Sequence, residues 1–143
     1  MAASAVPGPP LAVAGTLPDP HLTPGEAFAG VTAAQVCVSG YAKSVRNVLR
    51  DQYVAVYSAY GLTYPQPPGE YELDHLVSLE LGGDNADRNL WPEPAGPGPG
   101  FHQKDALENY LHDAVCAGRI QLADAQHEIA ANWLALYREY LQP

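Results

Sequence analysis

The sequence predicts an α+β fold. Apolar residues recur at helical spacing on both sides of a central stretch, residues 71–91, that reads as two short strands joined through a Gly-Gly turn. The first long helix is indicated from about Val45, where Val45, Val48, Leu49, Val56, Tyr57 and Tyr60 share a face and Gly61 supplies a stop. Thr32 is placed to cap a shorter helix running into Cys37. A proline-rich loop comes next, between Thr63 and Gly69. Tyr71 to Leu81 reads as extended, Gly82-Gly83 as a turn, and Leu90-Trp91 as a second short strand ended by Pro92. The stretch from Pro92 to Gly100 holds four prolines and three glycines and reads as a loop. Helix resumes at about His102, with Leu107, Tyr110, Leu111, Ala114 and Val115 on one face and Gly118 at its end. A last helix spans roughly Leu122 to Leu141 and turns Ala125, Ile129, Trp133, Leu136 and Tyr137 inward. The order helix, strand, strand, helix, helix implies one very small sheet among helices.

A chain of 143 residues suits one compact domain, and with 47% apolar and 16% charged residues it can bury a core. Residues 1–27 carry Pro7, Pro9, Pro10, Pro18, Pro20 and Pro24 and read as a flexible, polyproline-like arm; residues 28–143 form the domain. No apolar run approaches the ~20 residues of a membrane helix, so a soluble chain without a membrane partner is expected. Sixteen acidic against seven basic residues give a net charge of −9, a field that repels phosphate backbones. A nucleic-acid partner would then need a local patch, a bound cation, or weak binding. The two cysteines, Cys37 and Cys116, belong to no CxxC pair or histidine cluster of zinc-site type, and either stay as separate buried thiols or form one disulfide. The disulfide is the favoured expectation. It would add on the order of 4 kcal/mol in the chain-entropy model and place the protein in an oxidising compartment. Residues 1–30 hold no Lys or Arg, and prolines interrupt the first apolar stretch, unlike a secretory signal. A secreted or periplasmic protein whose signal is not in this chain is expected, with a cytoplasmic one as the alternative.

The chemistry concentrates in YELDHLVSLELGGDNADRNLWPEP, residues 71–94, and in GFHQKD, residues 100–105. An Asp-His pair alone is more often structural than catalytic. Asp74-His75 stands out because of the residues C-terminal to it: Leu76 and Leu79, Gly82-Gly83, Asn89-Leu90, then His102. Cutting a phosphodiester needs an activated water, charge stabilisation and help for the leaving oxygen. One divalent cation held by Asp, Asn or His can supply the last two, and a histidine near its free pKa can take the proton from water. Adjacent strand residues point to opposite faces, so Asp74 and His75 can serve one site only if the strand ends or bulges there.

From Asp74 to Leu90 the pattern D-H-x-x-x-L-x-x-G-G-x-x-x-x-x-N-L resembles the HNH endonuclease family, with His102 as the third signature residue and Lys104 close behind it. The resemblance covers residues 71–105, about a quarter of the chain. The segments PDPHLTPG, VCVSGYAKSVR and LENYLHDAVCAGRI are similar, more loosely, to small exported bacterial HNH-like proteins. It implies a ββα-metal finger packed among additional helices, with His75 as general base and Asp74 and His102 as metal ligands. Asn89 would orient His75 or join the metal. The implied cofactor is one divalent metal ion, Mg2+ first, with Mn2+, Ca2+ or Zn2+ as alternatives. The loop between Asn89 and His102 is longer than the family's, and its zinc-binding cysteine pairs are absent, so the disulfide or the extra helices must hold the finger.

Arg88 and Lys104 are candidates to grip a phosphate, though each reads equally as a surface charge. Lys104, Glu108 and His112, at i, i+4 and i+8, read most simply as an exposed stripe. Glu72, Glu80 and Glu93 read first as solvated side chains, with Glu80 or Glu93 able to reach the metal's outer shell. His21 and His127 read as incidental, and Trp91 and Trp133 as core. The expected activity is metal-dependent hydrolysis of DNA, and of RNA as a further substrate, with low sequence specificity, since no helix-turn-helix or zinc-finger reader is visible. No obligate protein partner is evident. Two other classes fit the same residues: a catalytically silent HNH-like binding module, which the negative charge favours, and a metal-dependent hydrolase of a small substrate.

Overall fold

The computed structural model describes residues 16–142, so the first half of the arm expected over residues 1–27 lies outside the described residues. In chain order the elements are α1 (Ala33–Val36), α2 (Tyr41–Val45), α3 (Arg50–Ala59), β1 (Tyr71–His75), β2 (Leu90–Pro94), α4 (Phe101–Cys116) and α5 (Leu122–Leu141). Short 3-10 turns at Leu79–Leu81 and Asp87–Asn89 lie between the strands. The class is α+β, with one two-stranded antiparallel sheet among the described residues.

Several boundaries differ from those expected, each through a partner distant in sequence. The helix expected from Val45 begins at Arg50. Asn85 takes the Val45 carbonyl through its Nδ2 at 2.9 Å, and its Oδ1 accepts the Asn47 N–H at 3.2 Å, so residues 46–49 run extended. β1 stops at His75 rather than running on to Leu81, because both backbone groups of Val77 turn to the Asn89 side chain. β2 continues through Pro92 to Pro94. Pro92 and Pro94 pair with Leu73 and Tyr71, while the flanking bonds run Leu76 N–H to Asn89 O and Ala95 N–H to Glu70 O. By the alternation of an antiparallel ladder both prolines fall where an N–H would point away from β1, so neither costs the ladder a bond. In α5, Asn132 leaves helical geometry (φ −167°, ψ 84°) and its Oδ1 accepts the Ala135 N–H, capping a second helical segment across a kink.

Paired residues of the ribbon share a face. Glu72, Asp74, Trp91 and Glu93 lie on one, toward α4; Leu73, Leu90 and the flanking prolines lie on the other. On the α4 side the main core gathers Leu76, Leu81, Trp91, Leu107, Leu111, Ile129 and Trp133, so both tryptophans are core residues. On the opposite side Leu73 and Leu90 pack with Val56 and Tyr57 of α3. The turn between the strands needs both glycines for different reasons. Gly82 holds φ +85°, which favours glycine, whereas a Cβ on Gly83 would run into the Val77 carbonyl.

Cys37 and Cys116 form a disulfide that ties the end of α1 to the end of α4. The described part of the proline-rich arm is fastened to the domain rather than loose. Thr23 is buried against Tyr60 and the Leu90 carbonyl, the Gly25 N–H donates to Arg88 O, and Ala27 bridges to Gly83. No helix among the described residues is long and apolar enough to cross a membrane.

Candidate active site

All five residues of β1 line one cleft of about 590 Å³, which therefore runs along the strand's unpaired edge. This is how neighbouring residues Asp74 and His75, on opposite faces, reach a common space: His75 is the last strand residue, and the cleft wraps the strand end. Arg46, Ser78, Asp105 and Glu108 close it from α2's end, the turn after β1, and α4.

His75 is 5% exposed and its Nε2 lies 3.0 Å from Asn85 Oδ1. The Asn85 amide is fixed by donating to Val45 O and accepting from Asn47 N–H. Its Oδ1 can only accept, so His75 carries its proton on Nε2 and keeps the lone pair on Nδ1. Burial pushes the His75 pKa below the ordinary imidazole value, against the opposing pull of the Asn85 bond and of Asp74. A neutral ring with a free Nδ1 is a competent base at pH 7.

Asp74 spends one oxygen inward. Its Oδ2 accepts the Trp91 indole N–H at 3.2 Å and lies 2.8 Å from the Lys104 ammonium. Lys104 is completely buried, expected instead at the surface, and it also donates to Glu108 Oε2 at 2.6 Å and to the His75 carbonyl at 3.0 Å. Burial pulls its pKa down, but Asp74, Glu108 and Glu93 outweigh that and hold the ammonium charged. The stripe Lys104, Glu108, His112 is thus an internal one, with only His112 half exposed. Glu93 is fully buried with neither carboxyl oxygen bonded, and burial next to Asp74 raises its pKa to about 10, so it is neutral at pH 7. Burial, with Asp105 and Asp74 beside it, raises Glu72 to about 7.

Ligand oxygens of Glu72, Asp74 and Asp105 all lie within 4.8 Å of one another, a spacing that suits one divalent cation. Ser78 Oγ, buried in the same cleft wall, has no hydrogen-bond partner. No protein-family model, curated protein or solved structure matches the chain.

The structure brings Asp74 and His75 together with Lys104 buried behind them, and leaves His102, Asn89 and Arg88 elsewhere. His102 is exposed in the first turn of α4, its ring 4.5 Å from that of Phe101, outside the carboxylate group. Asn89 is fully buried and spends its amide on backbone: the Glu26 and Val77 N–H groups and the Val77 and Asp84 carbonyls. It staples the inter-strand turn, and Asn85 is the residue that orients His75. Arg88 is exposed and does not line the cleft, whereas Arg46 does, facing Glu72 and His75. Sequence reasoning missed Arg46, Asn85 and Asp105, and gave Glu72 only a bland role. Glu72 carried a usable signal: two residues before Asp74 on a strand, it shares that residue's face.

Proposed function

We propose that the chain is a metal-dependent endonuclease that hydrolyses phosphodiester bonds of DNA, and of RNA in the same cleft, with low sequence specificity. What carries the reading is His75: a neutral imidazole with its tautomer fixed by Asn85, in one cleft with Glu72, Asp74 and Asp105. The succession β1, β2, α4, with α4 sending Lys104 to the Asp74 side of the ribbon, supports assigning it as the ββα-metal finger of the HNH resemblance. Three carboxylates fit a hard cation, with the orphaned Ser78 hydroxyl in the wall of the same cleft, so Mg2+ or Mn2+ suits the donors better than Zn2+, and His102 is not needed among them. Such an ion supplies charge for the phosphorane-like transition state and for the leaving oxygen. His75 Nδ1 accepts the proton of the attacking water, Asn85 holds the ring, and Arg46 draws the phosphate toward the cleft. Lys104 balances Asp74 from behind.

Plasmid nicking with and without Mg2+ or Mn2+, on wild type and His75→Ala, tests this. The folded variant should lose roughly 10²–10⁴-fold in rate. Because burial lowers the His75 pKa, the base form should persist below pH 6.5, the ordinary imidazole value; wild-type rates should fall only in more acidic buffer. Manganese affinity, read by calorimetry, should drop in Asp105→Asn and Glu72→Gln. A folded His75→Ala protein that nicks at the wild-type rate ends the proposal. One observation favours the silent binding module instead: the Lys104 ammonium already neutralises Asp74 without a metal. That reading predicts no metal-dependent cleavage.

A further inference from the structure

At the end of the cleft away from His75 the wall is aromatic. Tyr53 and Tyr57 stand one helical turn apart on α3, Tyr64 comes from the loop after it, and Tyr71 opens β1. The rings of Tyr53 and Tyr57 each lie 5.1 Å from that of Tyr64, and Tyr57 lies 6.4 Å from Tyr71. Tyr57 belongs to the core, at 3% exposure, and forms the floor. Tyr53, Tyr64 and Tyr71 pack against that core on one side, yet they stay half-buried and line the cleft. One of the chain's seven basic residues stands here, the Arg50 guanidinium lying 5.5 Å over the Tyr64 ring, and another, Arg46, lines the same cleft nearer Glu72 and His75.

We infer that this wall of Tyr53, Tyr64 and Tyr71, with Arg46 further along the cleft to meet the backbone, is a stacking subsite for an unpaired nucleobase, which makes single-stranded nucleic acid the substrate class. The inference rests on nucleic acid as the ligand of the cleft, but not on cleavage. Aromatic rings interleaved with arginine accept any base through its π-face and hold the backbone by charge. A base paired inside a duplex keeps its faces against its neighbours and cannot offer one to a concave wall. Along β1, Tyr71 is separated from His75 by four residue steps, about 13 Å. The stacked base therefore belongs to a nucleotide flanking the scissile phosphate, not to the one being cut. An apolar peptide is a poorer occupant, because Arg46, Gln66, Glu72 and Asp105 border the same space.

The test is fluorescence anisotropy with three labelled probes of equal length: a single strand, its duplex, and a strand of abasic sites. It is done in Mg2+ on the His75→Ala protein so that cleavage does not deplete the probe. The single strand should bind more tightly than the duplex, and more tightly than the abasic strand by about 5- to 150-fold, the worth of one stacked base. Tyr53→Leu and Tyr64→Leu keep apolar packing and should close most of the gap between intact and abasic strands. Tyr64→Trp should retain it, which a purely structural role would not require. Leu variants that preserve the gap, or a preference for duplex when all the tyrosines are intact, overturn the inference. Tyrosine-dependent binding by a protein that never cuts would instead overturn the nuclease reading alone.

Discussion

Replacing Lys104 by Met separates a buried structural cation from a phosphate grip at the surface. The ammonium is fully enclosed, 2.8 Å from Asp74 and 2.6 Å from Glu108, and it also satisfies the His75 carbonyl. Methionine fills nearly the same volume, so the loss is electrostatic: Asp74 and Glu108 remain buried and facing one another with no cation between them. Breaking a buried pair by removing one partner costs about 3–5 kcal/mol. For a chain of this size that is on the order of 10–15 °C in Tm. The deficit must also depend on pH. Lys104 now opposes the effect of burial on Glu108, which still stands at about 8; without Lys104 the folded-state pKa rises further. A carboxyl whose folded pKa lies above its unfolded value loses stability as pH climbs between the two. Below about 8 Glu108 is protonated in both folded proteins, so the Met variant should fall further behind wild type at about pH 9.5 than at pH 8. Thermal melts monitored by far-UV circular dichroism at both pH values read this directly, and adding Glu108→Leu to Lys104→Met should recover part of the loss. A shift below about 3 °C at about pH 9.5, or a deficit that grows toward acid, would refute the buried-cation account.

Asn89→Ala should act on stability before it acts on chemistry. Four bonds to backbone, two of them buried and two part-buried, are lost together at about 1 kcal/mol each, and the urea midpoint should fall by the equivalent of roughly 3–5 kcal/mol. A stable Asn89→Ala protein with only a rate defect would return that residue to the catalytic set. Reducing the Cys37–Cys116 bond reopens a loop of 79 residues' separation, worth about 4.5 kcal/mol in the chain-entropy model. Urea unfolding with and without reductant should separate by that order, and coincident curves would show that the cross-link adds nothing.

What could be read from the sequence was local. The apolar faces of α4 and α5 repeat within one or two turns, so spacing located them, and Asp74-His75 drew attention through a contiguous motif rather than through any long-range partner. What failed depended on partners far along the chain. Nothing near Val45 announces that Asn85, forty residues on, will take its carbonyl and delay α3. Pro92 reads as a strand end unless the register that turns its nitrogen outward is known. Asn85 and Asn89 are equally plausible beside a histidine from spacing, and only the fold sends one to the ring and the other to the backbone. The misread stripe on α4 did hold a clue. Lys104, Glu108, Leu111 and Val115 fall at i, i+4, i+7 and i+11, so the two charges extend the apolar face rather than oppose it.

The net charge of −9 weighs less at the cleft than its size suggests. That formal count treats every carboxyl as ionised, whereas Glu93 and, at about 8, Glu108 are held largely protonated at pH 7, and Glu72, at about 7, is close to half so. Asp74 is met by Lys104, and Arg46 faces Glu72 from the cleft wall. By this count the cleft is already close to neutral, and one divalent charge among Glu72, Asp74 and Asp105 would make it net positive while the rest of the surface stays acidic. In the nuclease reading this makes phosphate entry conditional on the ion. Without it the cleft offers a phosphate no net attraction; with it, attraction is confined to the few ångströms around His75, and the remaining field opposes tight, non-productive binding elsewhere. An acidic nuclease built this way should hold its substrate weakly through the backbone and depend on the cleft for what grip it has, so the tyrosine wall matters more here than it would in a basic protein.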